Sequence, residues 1–252
     1  MQANPRKNLD HYPGGKGRSF RNILNLFPPH STYVETHLGS GAVLRRKRPA
    51  LRNVGIEKDP EIHARWIEKN ASAIELVCGD AVDWLLANPL EASALVYSDP
   101  PYLPSTRRTA RYYRHDHDEF DHVRLLTCLR DLKCMVVVSG YRSSLYDAEL
   151  RSWTRTDYVA TTHNGNVPES AWTNFEPGSR LHDYTWLGSD FRERERIRRK
   201  RRRILRNLLD LPPAELNAVI AELRTAKSDL PGSTVASPPE PNSIEIAARE
   251  VD

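Results

Sequence analysis

The first two-thirds of the chain alternate short apolar, β-branched runs with longer segments of helical periodicity. This alternation is typical of an α/β fold in which a doubly wound, mostly parallel sheet lies between layers of helices. Four of the apolar runs lead into a glycine or an acid, at Gly39, Glu57, Asp80 and Asp99. Because such sheets bind ligands at the carboxyl ends of their strands, the pattern predicts a binding site at that edge.

The individual elements follow from the same periodicities. A strand that leads into a glycine-rich turn is predicted over 31–41. Further strands are predicted over 52–59, 73–80, 94–102 and 134–140, and late strands over 153–162 and 180–188. Helices are predicted from about Ala42, and over 60–70, 81–88, 118–132 and 144–151.

The composition changes sharply after residue 190. Between Phe191 and Arg206 there are ten Lys/Arg and two Glu, a local charge of +8 within a helical pattern over 191–211. The whole chain carries +4, so the remaining residues sum to −4. A second helix is predicted over 212–227, and the Pro-, Ser- and acid-rich residues 228–252 are expected to be disordered. We therefore predict a main domain over 1–190, a basic helical extension over 191–227 and a tail.

The stretch "SDPPY", residues 98–102, ends a strand with an unusual set of side chains. Two prolines restrict the backbone and remove two N–H donors, so the Pro100 carbonyl is held rigidly beside the Asp99 carboxylate. Two such acceptors suit an amino group on a base, such as adenine N6, and Tyr102 can stack on a base swung out of a duplex. The expected chemistry is methyl transfer from a sulfonium donor by positioning and electrostatics, with no metal.

Three strand ends indicate a cofactor that contains adenosine. In "LGSGAVL", Gly39 and Gly41 let the backbone approach a ligand closely, although a plain strand-to-helix turn would also use them. Glu57 ends the next strand, where a carboxylate can accept from both ribose hydroxyls. Asp80 follows the third strand, where it can accept from the exocyclic amine of adenine.

With these motifs in this order, the sequence resembles the Dam-like (D12 class) DNA adenine-N6 methyltransferases, and in particular compact members of phage type. The motifs that carry the resemblance are "YPGGK", "VETHLGSGAV", "IEKD", "CGD" and "SDPPY", and it covers about residues 9–190. It implies that residues 1–190 are a catalytic domain with the Rossmann-like class I methyltransferase fold. It also implies S-adenosyl-L-methionine as cofactor and double-stranded DNA as partner, in the cytoplasm, and leaves the oligomeric state open.

The resemblance implies roles for individual residues. Those expected to contact the cofactor are Tyr12, Gly15, Lys16, Gly39, Ser40, Gly41, Glu57, Asp80 and Asp99. Those expected to hold the target base and act in catalysis are Asp99, Pro100, Pro101 and Tyr102. The chain departs from the family at Thr36 and His37, where Pro-Phe is usual.

No long target-recognition domain fits between the glycine turn and "SDPPY", so sequence reading is expected from other segments. The loop that follows "SDPPY" combines arginines with tyrosines beside the base pocket, which suits phosphate contacts and stacking. Its candidate residues are Arg107, Arg108, Arg111, Tyr112 and Arg114. A second candidate is the segment 166–178, with Trp172 and Asn174.

The basic helix is expected to bind the DNA backbone, because ten like charges on one helix repel each other unless phosphates relieve them. A solvated helix with Glu–Arg pairs is the alternative. The residues chosen for this contact are Arg199, Arg201, Arg202 and Arg203.

Other features limit the classes of protein. No run of about 18 apolar residues predicts a transmembrane helix, and the first 16 residues lack the apolar core of a secretory signal. Cys78, Cys128 and Cys134 are too few for a disulfide framework and are expected to be buried, reduced thiols.

Two further side-chain groups have a structural and a functional interpretation. The histidines and acids of 115–122 could hold a metal, but a polar helix N-terminus with His122 facing inward is favoured. Ser139 is expected to be a hydrogen-bonding residue at a strand end rather than a nucleophile. On the residues alone, methylation of RNA adenine or of cytosine N4, and an inactive DNA-binding relative, stay open as alternatives.

Overall fold

A computed structural model of the chain describes residues 16–17, 19–69, 73–106, 116–162 and 165–228. The chain divides into two compact units, Met1–Arg194 and Glu195–Asp252. This division lies close to the predicted boundary at 190/191. The predicted tail, apart from its first residue, lies outside the described residues.

The described residues form seven strands and seven α-helices, with a short 3-10 helix over Pro104–Thr106. The strands are β1 (Thr32–Glu35), β2 (Arg52–Glu57), β3 (Glu75–Cys78), β4 (Ala94–Ser98), β5 (Met135–Gly140), β6 (Thr154–Thr162) and β7 (Gly165–Thr173). The helices are α1 (Phe20–Leu24), α2 (Pro60–Glu68), α3 (Ala81–Ala87), α4 (Glu119–Asp131), α5 (Ser144–Glu149), α6 (Phe191–Leu209) and α7 (Pro213–Ser228). No helix among the described residues is long and apolar enough to cross a membrane.

The strands form one sheet in the order β3-β2-β1-β4-β5-β7-β6. β1 to β5 run parallel, whereas β7 lies antiparallel between β5 and β6. The predicted doubly wound, mostly parallel sheet is confirmed. The order of the strands reverses between β1 and β4, which is the topological switch point of the sheet. This is the crevice where Rossmann-like sheets bind their ligands.

Alternate residues of the strands face two apolar layers, because successive side chains of a strand point to opposite sides. One layer packs Val34, Val96 and Val136 against α3, α4 and α5. The other packs Tyr33 and Leu95 against α1 and α2. The strands are therefore covered on both faces, which explains why they read as nearly continuous apolar runs.

Helix starts follow the capping residues in the sequence. The Asp59 side chain accepts from the backbone N–H of Glu61, with Pro60 in the first turn of α2. Asp118 and Asp121 form a reciprocal capping box at the start of α4. The polar start of α4 was predicted as a helix N-terminus, and it is confirmed as one.

Two predicted elements are wrong. Instead of a helix, the chain after Ala42 has turns with isolated helical hydrogen bonds, from Arg45 N to Gly41 O and from Lys47 N to Val43 O. Residues 180–188 are not a strand, and β7 comes from 165–173 instead. The apolar pattern of 180–188 has another cause, because Leu181 is buried and the His182 N–H donates to Phe27 O.

Cys128 and Cys134 are buried free thiols, as predicted, but Cys78 is exposed. β3 is the edge strand of the sheet, and Cys78 is its last residue. Only one neighbouring strand, β2, covers this residue within the sheet, and the prediction of a buried thiol at this position is wrong.

Candidate active site

The carboxyl ends of four parallel strands meet at one edge of the sheet, as predicted. Backbone hydrogen bonds join them just beyond the strand ends, from Thr36 N to Tyr97 O and from Gly79 N to Glu57 O, both at 3.0 Å. Thr36 therefore uses an N–H that a proline, usual in the family at this position, does not have. Its departure from the family pattern adds a hydrogen bond between β1 and β4.

The glycine turn after β1 is tightly packed. Gly39 and Gly41 have positive φ angles of 45° and 57°, a region that other residues rarely adopt. The indole of Trp66 lies under the turn and donates from Nε1 to Gly39 O at 2.9 Å. A Cβ atom at Gly41 would lie 2.6 Å from the Trp66 ring carbon Cη2 and nearer still to Cζ2. Both glycines are therefore required by geometry, and Ser40 between them is buried.

Glu57 fastens the end of β2 to the glycine turn. Its Oε2 accepts from Gly39 N at 2.8 Å and its Oε1 accepts from Asp59 N at 2.8 Å. Burial raises the pKa of Glu57, and these backbone donors partly offset that rise. The two carboxylate oxygens keep acceptor capacity beyond these backbone bonds, so Glu57 fits the predicted role at a ribose.

Asp80 has a second role that the sequence did not indicate. Its side chain caps α3 by accepting from the N–H groups of Val82 and Asp83. Lys58 Nζ lies 3.2 Å from Oδ2, and Arg124 Nη1 lies 3.0 Å from Oδ1. Partial burial disfavours the charged form of Asp80. The hydrogen bonds and the two cations stabilise that form more strongly, and lower the pKa of Asp80 to about 2. Asp80 is therefore an ionised acceptor. If it also accepts from the adenine amine, as predicted, it does so while it contacts Lys58 and Arg124.

Asp99 lies directly after β4, with its side chain 15% exposed. Lys16 Nζ is 2.7 Å from Oδ1, and Ser139 Oγ donates to the same oxygen at 2.8 Å. The Tyr97 hydroxyl lies 2.9 Å from Ser139 Oγ, so the prediction of Ser139 as a strand-end hydrogen-bonding residue is confirmed. Oδ2 has no hydrogen-bond partner within the described ranges. One carboxylate oxygen is thus held by the protein, and the other is left without a hydrogen bond from the described residues.

Tyr102 is fixed by both its hydroxyl and its ring. The hydroxyl accepts from Lys16 Nζ at 2.8 Å and donates to Glu169 Oε1 at 2.7 Å. The ring contacts that of Tyr141, with centroids 4.2 Å apart. Of the other motif residues, Pro100 is buried and Pro101 is half-buried.

Glu169 and Tyr158, which sequence reasoning missed, complete this cluster. Tyr158 donates to Glu169 Oε2 at 2.8 Å, and Lys16 Nζ lies 3.5 Å from the same oxygen. Lys16 and Glu169 are each 3% exposed. Burial opposes the Lys16 charge, but Asp99 and Glu169 outweigh it and raise the pKa of Lys16 well above its usual value. Lys16 was predicted to contact the cofactor, and its ammonium lies among these side chains.

The segment proposed as a second reader of DNA has a structural role at two of its positions. Trp172 is buried in the core. The Asn174 side chain accepts from Val136 N and donates to Cys134 O, which ties the end of β7 to β5. The buried Trp172 is not available to read bases, so the prediction is wrong for this residue. Asn174 is exposed, and for it the reading role stays a prediction.

Of three histidines near the site, His122 is buried and His37 and His117 are half-buried. His122 is fully buried and its Nδ1 lies 3.0 Å from the Tyr146 hydroxyl, so its inward orientation is confirmed. Its ring also contacts that of His117, which in turn contacts His37. Burial lowers the pKa of His37 and that of His117. Within the described part of the chain, no group of three or more His, Cys, Asp or Glu has metal-site geometry.

Several predicted residues lie outside the described part of the chain. They are Tyr12, Gly15, Arg107, Arg108, Arg111, Tyr112 and Arg114. On α6, the four arginines chosen for DNA contact are exposed. The predicted alternative, Glu–Arg pairing, is present on this helix at Glu195, which lies 2.7 Å from Arg198 and 3.9 Å from Arg199.

The strand order with an antiparallel β7 beside β5 defines the class I S-adenosylmethionine-dependent methyltransferase fold. The sequence model of the D12 class N6 adenine-specific DNA methyltransferases matches residues 52–164, a little under half of the chain. This match confirms the resemblance identified from the motifs. The chain thus has the methyltransferase fold and matches a methyltransferase family over residues 52–164, and S-adenosylmethionine is the methyl donor that this match implies. No curated protein sequence matches the chain.

Solved structures with a similar arrangement include three at low sequence identity. A precorrin 8W decarboxylase from Methanobacterium thermoautotrophicum is 14% identical, with 70% of this chain and 97% of that chain covered and a TM-score of 0.44. An rRNA methylase from Streptococcus thermophilus is 11% identical, with 69% and 97% covered and a TM-score of 0.43. A protein from Streptococcus mutans, assigned as a methyltransferase and in complex with SAH, is 12% identical, with 69% and 99% covered and a TM-score of 0.43. The fold assignment rests on the strand order rather than on these likenesses.

Proposed function

We propose that the protein transfers the methyl group of S-adenosylmethionine to the N6 amino group of adenine in double-stranded DNA. The observation that carries this proposal is the geometry at Asp99. One carboxylate oxygen is fixed by Lys16 and Ser139, while Oδ2 has no hydrogen-bond partner among the described residues. We place this free oxygen and the carbonyl of the next residue, Pro100, at the target amino group. An amino group offers two hydrogens, and Oδ2 and the Pro100 carbonyl supply two acceptors.

The chemical step needs no covalent intermediate with the protein. The N6 lone pair forms a bond to the methyl carbon as the carbon–sulfur bond breaks, and that bonding pair stays on sulfur. Positive charge therefore moves from sulfur to nitrogen, and the excess N6 proton passes to the Asp99 carboxylate and on to water. A buried carboxylate close to the nitrogen stabilises this charge as it develops.

The cofactor is placed at the adjoining strand ends. Gly39, Ser40 and Gly41 form its turn, Glu57 takes the ribose hydroxyls and Asp80 takes the adenine amine. The base enters from the other side and stacks on Tyr102, which requires that it leave the duplex. We infer that residues 1–190 do this chemistry and that the basic extension over 191–227 adds non-specific contacts to the DNA backbone.

The test is methyl transfer with isotope-labelled S-adenosylmethionine and the full chain, on duplex DNA and on structured RNA, followed by mass spectrometry of the nucleosides. We expect N6-methyladenine in the duplex. N6-methyladenine in RNA alone, or N4-methylcytosine, would replace the proposed substrate with another. Loss of transfer to every polymer would overturn the proposal.

The variant Asp99→Asn tests the residue that carries the argument. It keeps the size of the side chain but removes the charge and replaces an acceptor with a donor, so we expect a loss of roughly 100-fold or more in the rate of methyl transfer. Asp131→Asn is the matched control, because Asp131 is an exposed carboxylate at the end of α4. Equal rates for Asp99→Asn and the control would refute the role of Asp99.

A further inference from the structure

Glu169 is buried at the active site, but the chemistry described so far does not use it. It lies on β7, on the far side of β5 from β4, and is 3% exposed. A carboxylate taken out of water is unfavourable unless charges or hydrogen bonds compensate it. Each of its oxygens has such partners, and all of them belong to the cluster around Asp99.

Glu169 contacts both Tyr102 and Lys16, the residues beside the proposed base and the proposed acceptor. Its Oε1 accepts from the hydroxyl of Tyr102, the proposed stacking residue, at 2.7 Å. Its Oε2 lies 3.5 Å from Lys16 Nζ, and the same ammonium is 2.7 Å from Asp99 Oδ1. The Tyr158 hydroxyl holds Oε2 from a further side at 2.8 Å. Glu169 therefore fixes the ring that would face the base and the cation that orients the acceptor.

The charges of the cluster are not balanced. Lys16 contributes one positive charge, whereas Asp99 and Glu169 contribute two negative charges when both are ionised. Methyl transfer brings positive charge onto the base nitrogen, so a buried excess of one negative charge is the sign that this reaction needs. Without Glu169, Lys16 would neutralise Asp99 alone, and the cluster would have no net charge to offer.

We propose that Glu169 is a positioning residue for methyl transfer, which holds Lys16 and Tyr102 and supplies the second negative charge of the buried cluster. This inference rests on the proposed function, since it deepens the role of the same site. Glu169 acts through Lys16 and Tyr102 and has no need to touch the base. The electrostatics agree, because burial raises the pKa of Asp99 and the neighbouring charge of Glu169 raises it further.

The test is Glu169→Gln in the full chain, with duplex DNA as substrate and single-turnover rates measured from pH 5 to 9. We expect the plateau rate to fall roughly 10- to 100-fold, as for loss of hydrogen bonds to a charged group. The KM for S-adenosylmethionine should change less than threefold. The acid limb of the pH–rate profile should move to lower pH, because removing the charge of Glu169 lowers the pKa of Asp99.

Two further variants separate positioning from general damage to the fold. Ser170→Ala removes a half-buried hydrogen bond to Asp157 from the next residue of β7, and should leave the rate and profile unchanged. Tyr158→Phe removes one donor to Glu169 but keeps its charge, so the rate should fall about 3- to 10-fold with the acid limb unmoved. If Glu169→Gln does not fold, Tyr158→Phe tests the positioning role alone, and a rate equal to that of the wild-type protein would refute that role.

The outcomes distinguish this inference from the proposed function. If the wild-type protein methylates no adenine in DNA, the proposed function fails. If the wild-type protein is active and Glu169→Gln matches its rate and its pH profile, the role of Glu169 is refuted. A lower rate with an unmoved acid limb in Glu169→Gln would also refute the electrostatic role, because a merely structural residue gives that result.

Discussion

Replacing Gly41 with alanine tests the packing of the glycine turn against Trp66. Gly41 has a φ of 57°, and an added Cβ would lie 2.6 Å from Trp66 Cη2. Trp66 cannot swing outward freely, because it is 2% exposed and its Nε1 is bonded to Gly39 O. The methyl group therefore has to displace a buried ring or open the turn.

The expected loss of stability has two parts. A residue other than glycine in the left-handed region is disfavoured by about 1 kcal/mol, and forcing extra volume into a packed core costs about 1–3 kcal/mol. Gly41→Ala should therefore lower the free energy of unfolding by about 2–4 kcal/mol. Because the displaced ring supports Gly39 O, affinity for S-adenosylhomocysteine should fall as well.

The assay is urea unfolding of the full chain, together with calorimetric titration of S-adenosylhomocysteine. Gly178→Ala is the matched control, because its added Cβ meets nothing closer than Arg180 N at 4.0 Å. In a Trp66→Phe background the ring atoms that clash are absent, so Gly41→Ala should then lose only about 1 kcal/mol. A loss below about 0.5 kcal/mol in the wild-type background, or the same loss in both backgrounds, would refute this reasoning.

Two further predictions concern pH and salt. Burial lowers the pKa of His30 to about 3, so the unfolded chain binds its proton first and stability should fall as the pH drops from about 6.5 towards 3, by up to about 4 kcal/mol. Urea unfolding at several pH values measures this fall, and His30→Phe should flatten it; an unchanged slope would contradict the assignment. Replacing Arg199, Arg201, Arg202 and Arg203 with alanine should weaken duplex DNA binding and reduce the slope of log K against log salt by up to about 3.6, at about 0.9 for each phosphate that is no longer neutralised. Arg224→Ala on α7 serves as the control, and an unaltered slope in the fourfold variant would exclude α6 from the DNA interface.

The carboxyl-end residues could be predicted because each one interrupts an apolar run. Parallel strands all end at the same edge of the sheet, so the residues that follow such runs lie together at that edge. Gly39, Glu57, Asp80 and Asp99 therefore met at one edge, as the pattern indicated. Their partners could not be predicted in this way, because Lys58 and Arg124 reach Asp80 from a loop and a helix that have no apolar signal pointing at it.

Glu169 was missed because β7 does not read as a strand. Its first half contains Gly165, Asn166 and Pro168, which are turn residues by local preference. β5 pairs with β7 only over 170–173, so Pro168 has β6 as its one neighbouring strand and a missing N–H is tolerated. Tertiary pairing with β6 overrides the local preference, and a single sequence contains no signal of that pairing.

The exposed thiol of Cys78, at the end of β3, is a single position for covalent labelling near the site. Cys78 pairs in register with Glu57 on the neighbouring strand, whereas Cys128 and Cys134 are shielded in the interior. A maleimide dye therefore attaches to the folded wild-type chain at one place, beside the proposed ribose carboxylate. Cofactor binding can be followed by fluorescence at that position without introducing or removing a cysteine.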